Sequence, residues 1–393
     1  MKEKCFLSKD YPPNLCRLLD FVKNTKEKRI VFREEHKDIT VTDGWKIKEL
    51  MNGSGSLAKS QILHRSLLVN AGKTGQEEKK NFVIKYDHSY RRDKLVREIR
   101  WLLGLDKKLS HLFPEIVYYS LNSECPFYIA PHYNKYATLN DLFQCQGIKH
   151  KTADDIVSKL LKLVFEKIYT RNASEKTGNY IQQFHINRIK KRHKETISYC
   201  KDFEKLINER KIRINGELYD NAPKIISELE NNKALISKLS PLQLNMIHGD
   251  LHFGNILFSQ SKKPCFKLLD PAAFQRAAYT YDVGKLYHSF HGMYDALHDN
   301  KFNLQIWDDK NICAELEIER NQSYEYINKN FRKLIEKCGF RQIKEDPEWE
   351  TKSLFAEACH FASMMPFHLA NEEKAKAIYL RGIVLLNNIM DNL

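Results

Sequence analysis

The chain has 393 residues, 42% hydrophobic and 29% charged, a balance that excludes collagen-like, fibrous and fully disordered proteins. Its net charge of +14 is uneven, since residues 149–213 hold 17 Lys and Arg against 8 Asp and Glu, a net of +9. That segment reads as a solvated helical face or a surface for an anionic partner, and no nucleic-acid-binding motif accompanies it.

The opening residues, MKEKCFLSKDYPPN, lack the apolar core of a signal peptide. The longest uncharged apolar-rich stretch, residues 358–371, is interrupted by Pro366 and falls short of the roughly 18 residues that a membrane span needs. The 9 cysteines are scattered and form no C-x-x-C pair, so they read as small buried hydrophobes in a reducing compartment. No membrane span and a cytoplasmic location are therefore expected, and the length suits about two domains.

Residues 45–130 are expected to be strand-rich with one helix. WKIKELM leads into Asn52-Gly53-Ser54-Gly55-Ser56, then SQILHRSLLV, a polar turn AGKTGQEEKK, and the strand NFVIKY. In YRRDKLVREIRWLLGL, the spacing of Leu95, Ile99, Leu102 and Leu103 predicts a helix. IVYYS and PFYIA predict two more strands, the second running into Pro131-His132-Tyr133. From Thr138 the pattern is mostly helical, with Thr138 or Asn140 as the N-cap of TLNDLF. One β island, NMIHGDLHFGNILF followed by PCFKLLDP, interrupts helices that run to the end.

The island carries the chemistry. In His248-Gly249-Asp250-Leu251-His252-Phe253-Gly254-Asn255, Asp250 follows an apolar run and sits in a turn, with Asn255 close enough to face the same cleft. Asp270 comes 15 residues after Asn255, at the end of the apolar run that begins at Phe266. A carboxylate and an amide oxygen form a hard ligand pair suited to Mg²⁺, and the second carboxylate can accept a hydroxyl proton.

The loop and the downstream Asp follow the kinase pattern H-x-D-L-x-x-x-N plus a metal-binding Asp. On H-G-D-L-H-F-G-N-I-L, the chain resembles the aminoglycoside phosphotransferase and choline kinase group of protein-kinase-like small-molecule kinases. Gly249 stands where protein kinases usually have Arg, and Leu-Leu-Asp-Pro departs from their D-F-G. The resemblance implies a bilobal α+β, protein-kinase-like fold, with a β-rich N-lobe over residues 1–131 and a mostly helical C-lobe over residues 132–393. It also implies roles. Asp250 is the base, and Asn255 and Asp270 hold Mg²⁺. Lys85, partnered by Glu98 13 residues later, grips the phosphates of ATP. Gly53, Ser54 and Gly55 cover those phosphates, although Ala58 replaces the third glycine. The backbone near Ala130 and His132 receives the adenine, with Pro131 offering only its carbonyl. His248 orients the loop, and Asp282 supports it.

The implied cofactors are ATP and Mg²⁺, and the implied partner is a small-molecule hydroxyl acceptor, with no nucleic acid. No A-P-E-ended activation segment is evident, which points away from a regulated protein kinase. Residues 281–297 also resemble kinase-like proteins of bacterial surface-polysaccharide synthesis, which tilts the acceptor toward a sugar or sugar alcohol. Arg276, a side chain within 281–294, or the stretch 357–361 is the expected acceptor wall. The alternative is a pseudokinase, a nucleotide-binding scaffold that meets partners through the basic segment.

Overall fold

The computed structural model describes residues 46–51, 59–69, 76–87, 92–121, 126–145, 147–274 and 276–393. Gly53, Ser54 and Gly55 lie outside the described residues. The structure is mixed α+β, rich in strands toward its N-terminus and mostly helical beyond. It divides into two compact units, Met1–Tyr136 with Ser259–Leu269, and Ala137–Phe258 with Asp270–Leu393.

In the first unit, β1 (Lys46–Met51), β2 (Lys59–Val69), β3 (Gln76–Tyr86), β4 (Tyr118–Ser120) and β5 (Phe127–Pro131) form one sheet in the order β1-β2-β3-β5-β4. The polar stretch expected as a turn is shorter than its composition suggests. Gln76–Lys80 extend β3 and pair with Arg65–Val69 of β2. Strand propensity yields to context, and an antiparallel ladder can continue through polar residues. Helix α1 (Asp93–Leu103) packs against β5. Its Leu95, Ile99 and Leu102 are buried at the i, i+4, i+7 spacing of one face, and Glu98 shares that face. After the short α2 (Lys107–Ser110), β10 (Phe266–Leu268) is tied in where Leu268 N–H donates to the Leu112 carbonyl at 2.8 Å.

In the second unit, β6 (Ala137–Thr138) pairs with β9 (Ile256–Phe258). Thr138 caps the turn that follows, its Oγ1 accepting from Asp141 N–H at 3.0 Å. Next come α3 (His150–Leu163), α4 (Asn187–Tyr199), α5 (Phe203–Asn208), α6 (Ala222–Asn231), α7 (Lys233–Leu239), α8 (Tyr279–Phe290) and α9 (Tyr294–His298). The chain ends in α10 (Gln322–Lys337), α11 (Arg341–Glu345), α12 (Trp349–Phe361) and α13 (Glu372–Met390). All 12 residues of α8 are buried. It packs on α12, which in turn packs on α13. The closeness of the first pair depends on Gly284, where a Cβ would lie 2.6 Å from the Ser353 carbonyl oxygen.

The expectation of helices running to the end requires one correction. A four-stranded sheet stands among them, in the order β11 (Phe302–Asp308), β12 (Ile312–Ile318), β7 (Lys211–Ile214), β8 (Glu217–Asp220). Its β7–β8 hairpin turns on Asn215-Gly216, both at positive φ (50° and 85°), the backbone a tight hairpin demands.

The basic segment is largely solvated. Lys190, Lys191, Lys194, Lys201 and Lys205 are exposed, while Ile189, Phe203 and Ile207 form its buried side. Cys200, Cys265, Cys313, Cys338 and Cys359 are free thiols. Among the described residues, no helix is long and apolar enough to cross a membrane.

Candidate catalytic site

In the first unit, Lys85 and Glu98 meet. The Lys85 Nζ lies 2.9 Å from Glu98 Oε1 and 2.8 Å from Oε2. Lys85 stands opposite Tyr128 in the β3–β5 ladder, and the Tyr128 hydroxyl donates to Glu98 Oε1 at 3.0 Å. Lys85 is only 5% exposed and Glu98 2%. Burying two charges is costly even when they pair, so such a pair is weak support for stability and a candidate for function. Ala130 stands inside the same ladder opposite Val83, and His132 follows the end of the strand.

In the second unit, the loop 248–255 is held by its own polar groups. The buried Asp282 carboxylate accepts from His248 N–H and Gly249 N–H, each at 2.7 Å, and from the Tyr169 hydroxyl at 3.2 Å. Burial pushes its pKa up to about 7, while the two N–H groups and the hydroxyl act in the opposite direction. His248 Nδ1 accepts from Asp250 N–H at 3.2 Å, which makes its ring a brace for the turn. The Asn255 side-chain amide donates to the Asp250 carbonyl at 2.9 Å. That bond commits Nδ2 and leaves Oδ1 as the end suited to a cation. His252 Nδ1 accepts from Gly254 N–H at 3.2 Å, and burial holds its pKa down near 4, so its imidazole is a neutral acceptor in the loop.

Gly249 is needed for two reasons. Its φ is +81°, and a Cβ there would lie 2.7 Å from the Ala272 Cβ and 2.7 Å from the Phe274 ring. Gly249→Ala combines left-handed strain of about 1–2 kcal/mol with overpacking of about 1–3 kcal/mol. Calorimetric unfolding should therefore show a loss of about 2–5 kcal/mol. A melting temperature equal to that of the unaltered protein would show that the turn tolerates a side chain.

Asp270 also has a positive φ, 56°, as does Ala273 at 58°. Asp tolerates this region better than most residues, and such conformations persist where the surroundings enforce them. The segment is tied back to the loop, since Ala272 N–H donates to the His248 carbonyl at 2.9 Å. The charges of Asp250 and Asp270 both act on His252. Within the second unit, the Ala272–His248 bond ties the segment that begins at Asp270 to the loop that carries Asp250 and Asn255. Hard oxygen donors of this kind fit Mg²⁺.

Neither a family model nor a curated protein matches the sequence. Among solved structures, the chain is similar to an assigned fructosamine-3-kinase from Haemophilus somnus 129PT, at 12% identity and a TM-score of 0.47 over 88% of this chain and 93% of that one. It is also similar to aminoglycoside phosphotransferase APH(3'')-Id from Streptomyces rimosus ATCC10970, at 12% identity and a TM-score of 0.40 over 81% and 92%. A third similar structure is Rad53 in complex with AMP-PNP, at 13% identity and a TM-score of 0.28 over 86% and 65%. At these identities none of them assigns an acceptor or a residue role.

Most of the residues expected as an acceptor wall are buried. Arg276 is exposed and His291 and Met293 are half-buried, whereas the rest of 281–294 and residues 357–361 are buried. Tyr281 instead accepts from the Arg188 guanidinium through its hydroxyl and meets Phe274 edge-on, with ring centroids 5.6 Å apart.

One residue at the site is not singled out by the sequence reading. Lys285 Nζ lies 3.0 Å from Asp250 Oδ1. The available signal is its place three residues after Asp282 in a helical stretch, which puts both on one face.

Proposed function

We propose that the chain is an ATP- and Mg²⁺-dependent phosphotransferase acting on a hydroxyl of a small molecule such as a sugar, sugar alcohol, amino alcohol or aminoglycoside-like compound. The observation that carries this reading is the Asp250–Asn255 loop. Its backbone is clamped by Asp282, and its amide is fixed with the oxygen end available.

Asp250 orients the acceptor hydroxyl and takes its proton. The acceptor oxygen forms a bond to the γ-phosphorus of ATP as the bond from that phosphorus to the β-bridging oxygen breaks, and ADP leaves. Lys85, held by Glu98, takes the phosphates of ATP as a compact point charge. The backbone near Ala130 and His132 receives the adenine, and Gly53, Ser54 and Gly55 cover the phosphates. Asn255 and Asp270 are the residues that would hold Mg²⁺, which when bound shields phosphate charge. Catalysis of this kind is mostly positioning and electrostatic stabilisation, which suits a loop held by buried hydrogen bonds.

The test is ADP release from Mg-ATP, screened against sugars, sugar alcohols, amino alcohols and aminoglycosides. Acceptor-dependent release with at least one class supports the reading. ATP binding without turnover across the panel would make the chain a pseudokinase.

A further inference from the structure

Helix α8 reaches the loop 248–255 twice from the same side. Asp282 holds the backbone of His248 and Gly249, and Lys285, three residues on, holds the side chain of Asp250. The Lys285 side chain is 8% exposed and that of Asp250 27%, so the ammonium lies on the inner side of the carboxylate. Among the described residues, Asp250 is the one carboxylate within ion-pair distance of Lys285.

The guanidinium of Arg188, on α4, also acts on the Asp250 charge. His288 and His360 are buried on α8 and α12, where burial, and then the Lys285 charge, keep both imidazoles neutral. A buried ammonium with one carboxylate partner is costly as a source of stability, and an apolar residue of similar volume often replaces such a pair without loss. What the pair does achieve is direction. Asp250 is a short side chain at the edge of a turn, and a cation fixed in a buried helix confines its carboxylate.

We propose that Lys285 is a positioning residue for Asp250: its ammonium holds Oδ1 so that the carboxylate meets the acceptor hydroxyl in one orientation. This rests on the phosphotransferase reading. Lys285 acts through Asp250 and contributes nothing to the grip on ATP, which belongs to Lys85.

The test is a double-mutant cycle on the full chain, using Lys285→Met, Asp250→Asn and the pair, with Lys285→Arg as a charge-preserving variant. ADP release, with a panel acceptor or with water in its place, gives kcat and the KM for ATP, and calorimetry gives stability. Lys285→Met should lower kcat at least tenfold with the ATP KM changed less than twofold, and Lys285→Arg should recover part of the loss. In the Asp250→Asn background, Lys285→Met should change kcat less than twofold, because the residue it positions is gone. An equal loss in both backgrounds, a loss confined to KM, or no loss would overturn the proposal. If Lys285→Met does not fold, the cycle is run with Lys285→Arg, and additivity there overturns it equally. A wild type that releases no ADP under any condition removes the phosphotransferase reading and the positioning role together. The stability cycle separates that outcome, since Asp250 and Lys285 would still couple in unfolding.

Discussion

Asp250→Asn should lower turnover by about 10²-fold or more while leaving ATP binding nearly unchanged. The substitution keeps the shape of the side chain and removes its charge and its basicity. The loop should survive it, because its clamps lie elsewhere: His248 N–H and Gly249 N–H bond to Asp282, and the Asn255 amide bonds to the Asp250 carbonyl, which the substitution retains. The ion pair with Lys285 is lost, leaving that ammonium without its carboxylate. Some stability should therefore go with it, since removing one partner of a buried pair strands the other. Parallel measurement of melting, ATP affinity and ADP release separates the three effects. Turnover close to wild type would take Asp250 out of the role of base.

The candidate site is largely legible in the sequence because its chemistry needs particular residue types at short separations. The loop 248–255 is one continuous turn, so His248, Asp250 and Asn255 are near each other whatever surrounds them. Lys85 and Glu98 are further apart in sequence, and each alone reads as a surface residue; the kinase-like loop downstream is what singles them out. Two buried opposite charges on adjacent elements are cheapest when they meet, and they do. Asp282 is legible through the same resemblance, as the acid in Tyr-Asp-Val-Gly that follows Asp270 in the chain.

Lys285 is less legible, although it lies one turn from Asp282. Its partner is 35 residues away, and a lysine on a helix is ordinarily solvated. Only the burial of the whole of α8 turns it inward. The sheet β11-β12-β7-β8 is illegible for a different reason. Its strands come from two segments separated by the loop and α8, and β12 joins β7 in a parallel pairing that no local pattern announces. The hairpin at Asn215-Gly216 is the exception, since that dipeptide between alternating residues is itself a hairpin signal. Aromatics in residues 281–294 read as core more readily than as wall, and helical spacing places side chains on a face without saying what covers it.

The central claim is that Asp270 and Asn255 hold the Mg²⁺ of a phosphotransferase. Asp270 is the carboxylate of the pair and Asn255 a neutral oxygen, so Asp270→Ala should remove most of the metal's anchoring and Asn255→Ala less of it. Asn255→Ala also removes a hydrogen bond to the Asp250 carbonyl, and some of its effect on turnover should come from a looser loop. The most direct measurement is calorimetric ATP binding with and without Mg²⁺, alongside ADP release, for the wild type and both variants. Mg²⁺ should tighten wild-type binding, Asp270→Ala should abolish that gain together with turnover, and Asn255→Ala should retain part of the gain. Equal wild-type affinity for ATP with and without Mg²⁺, together with no turnover across the acceptor panel, would contradict the account and leave a nucleotide-binding scaffold in its place.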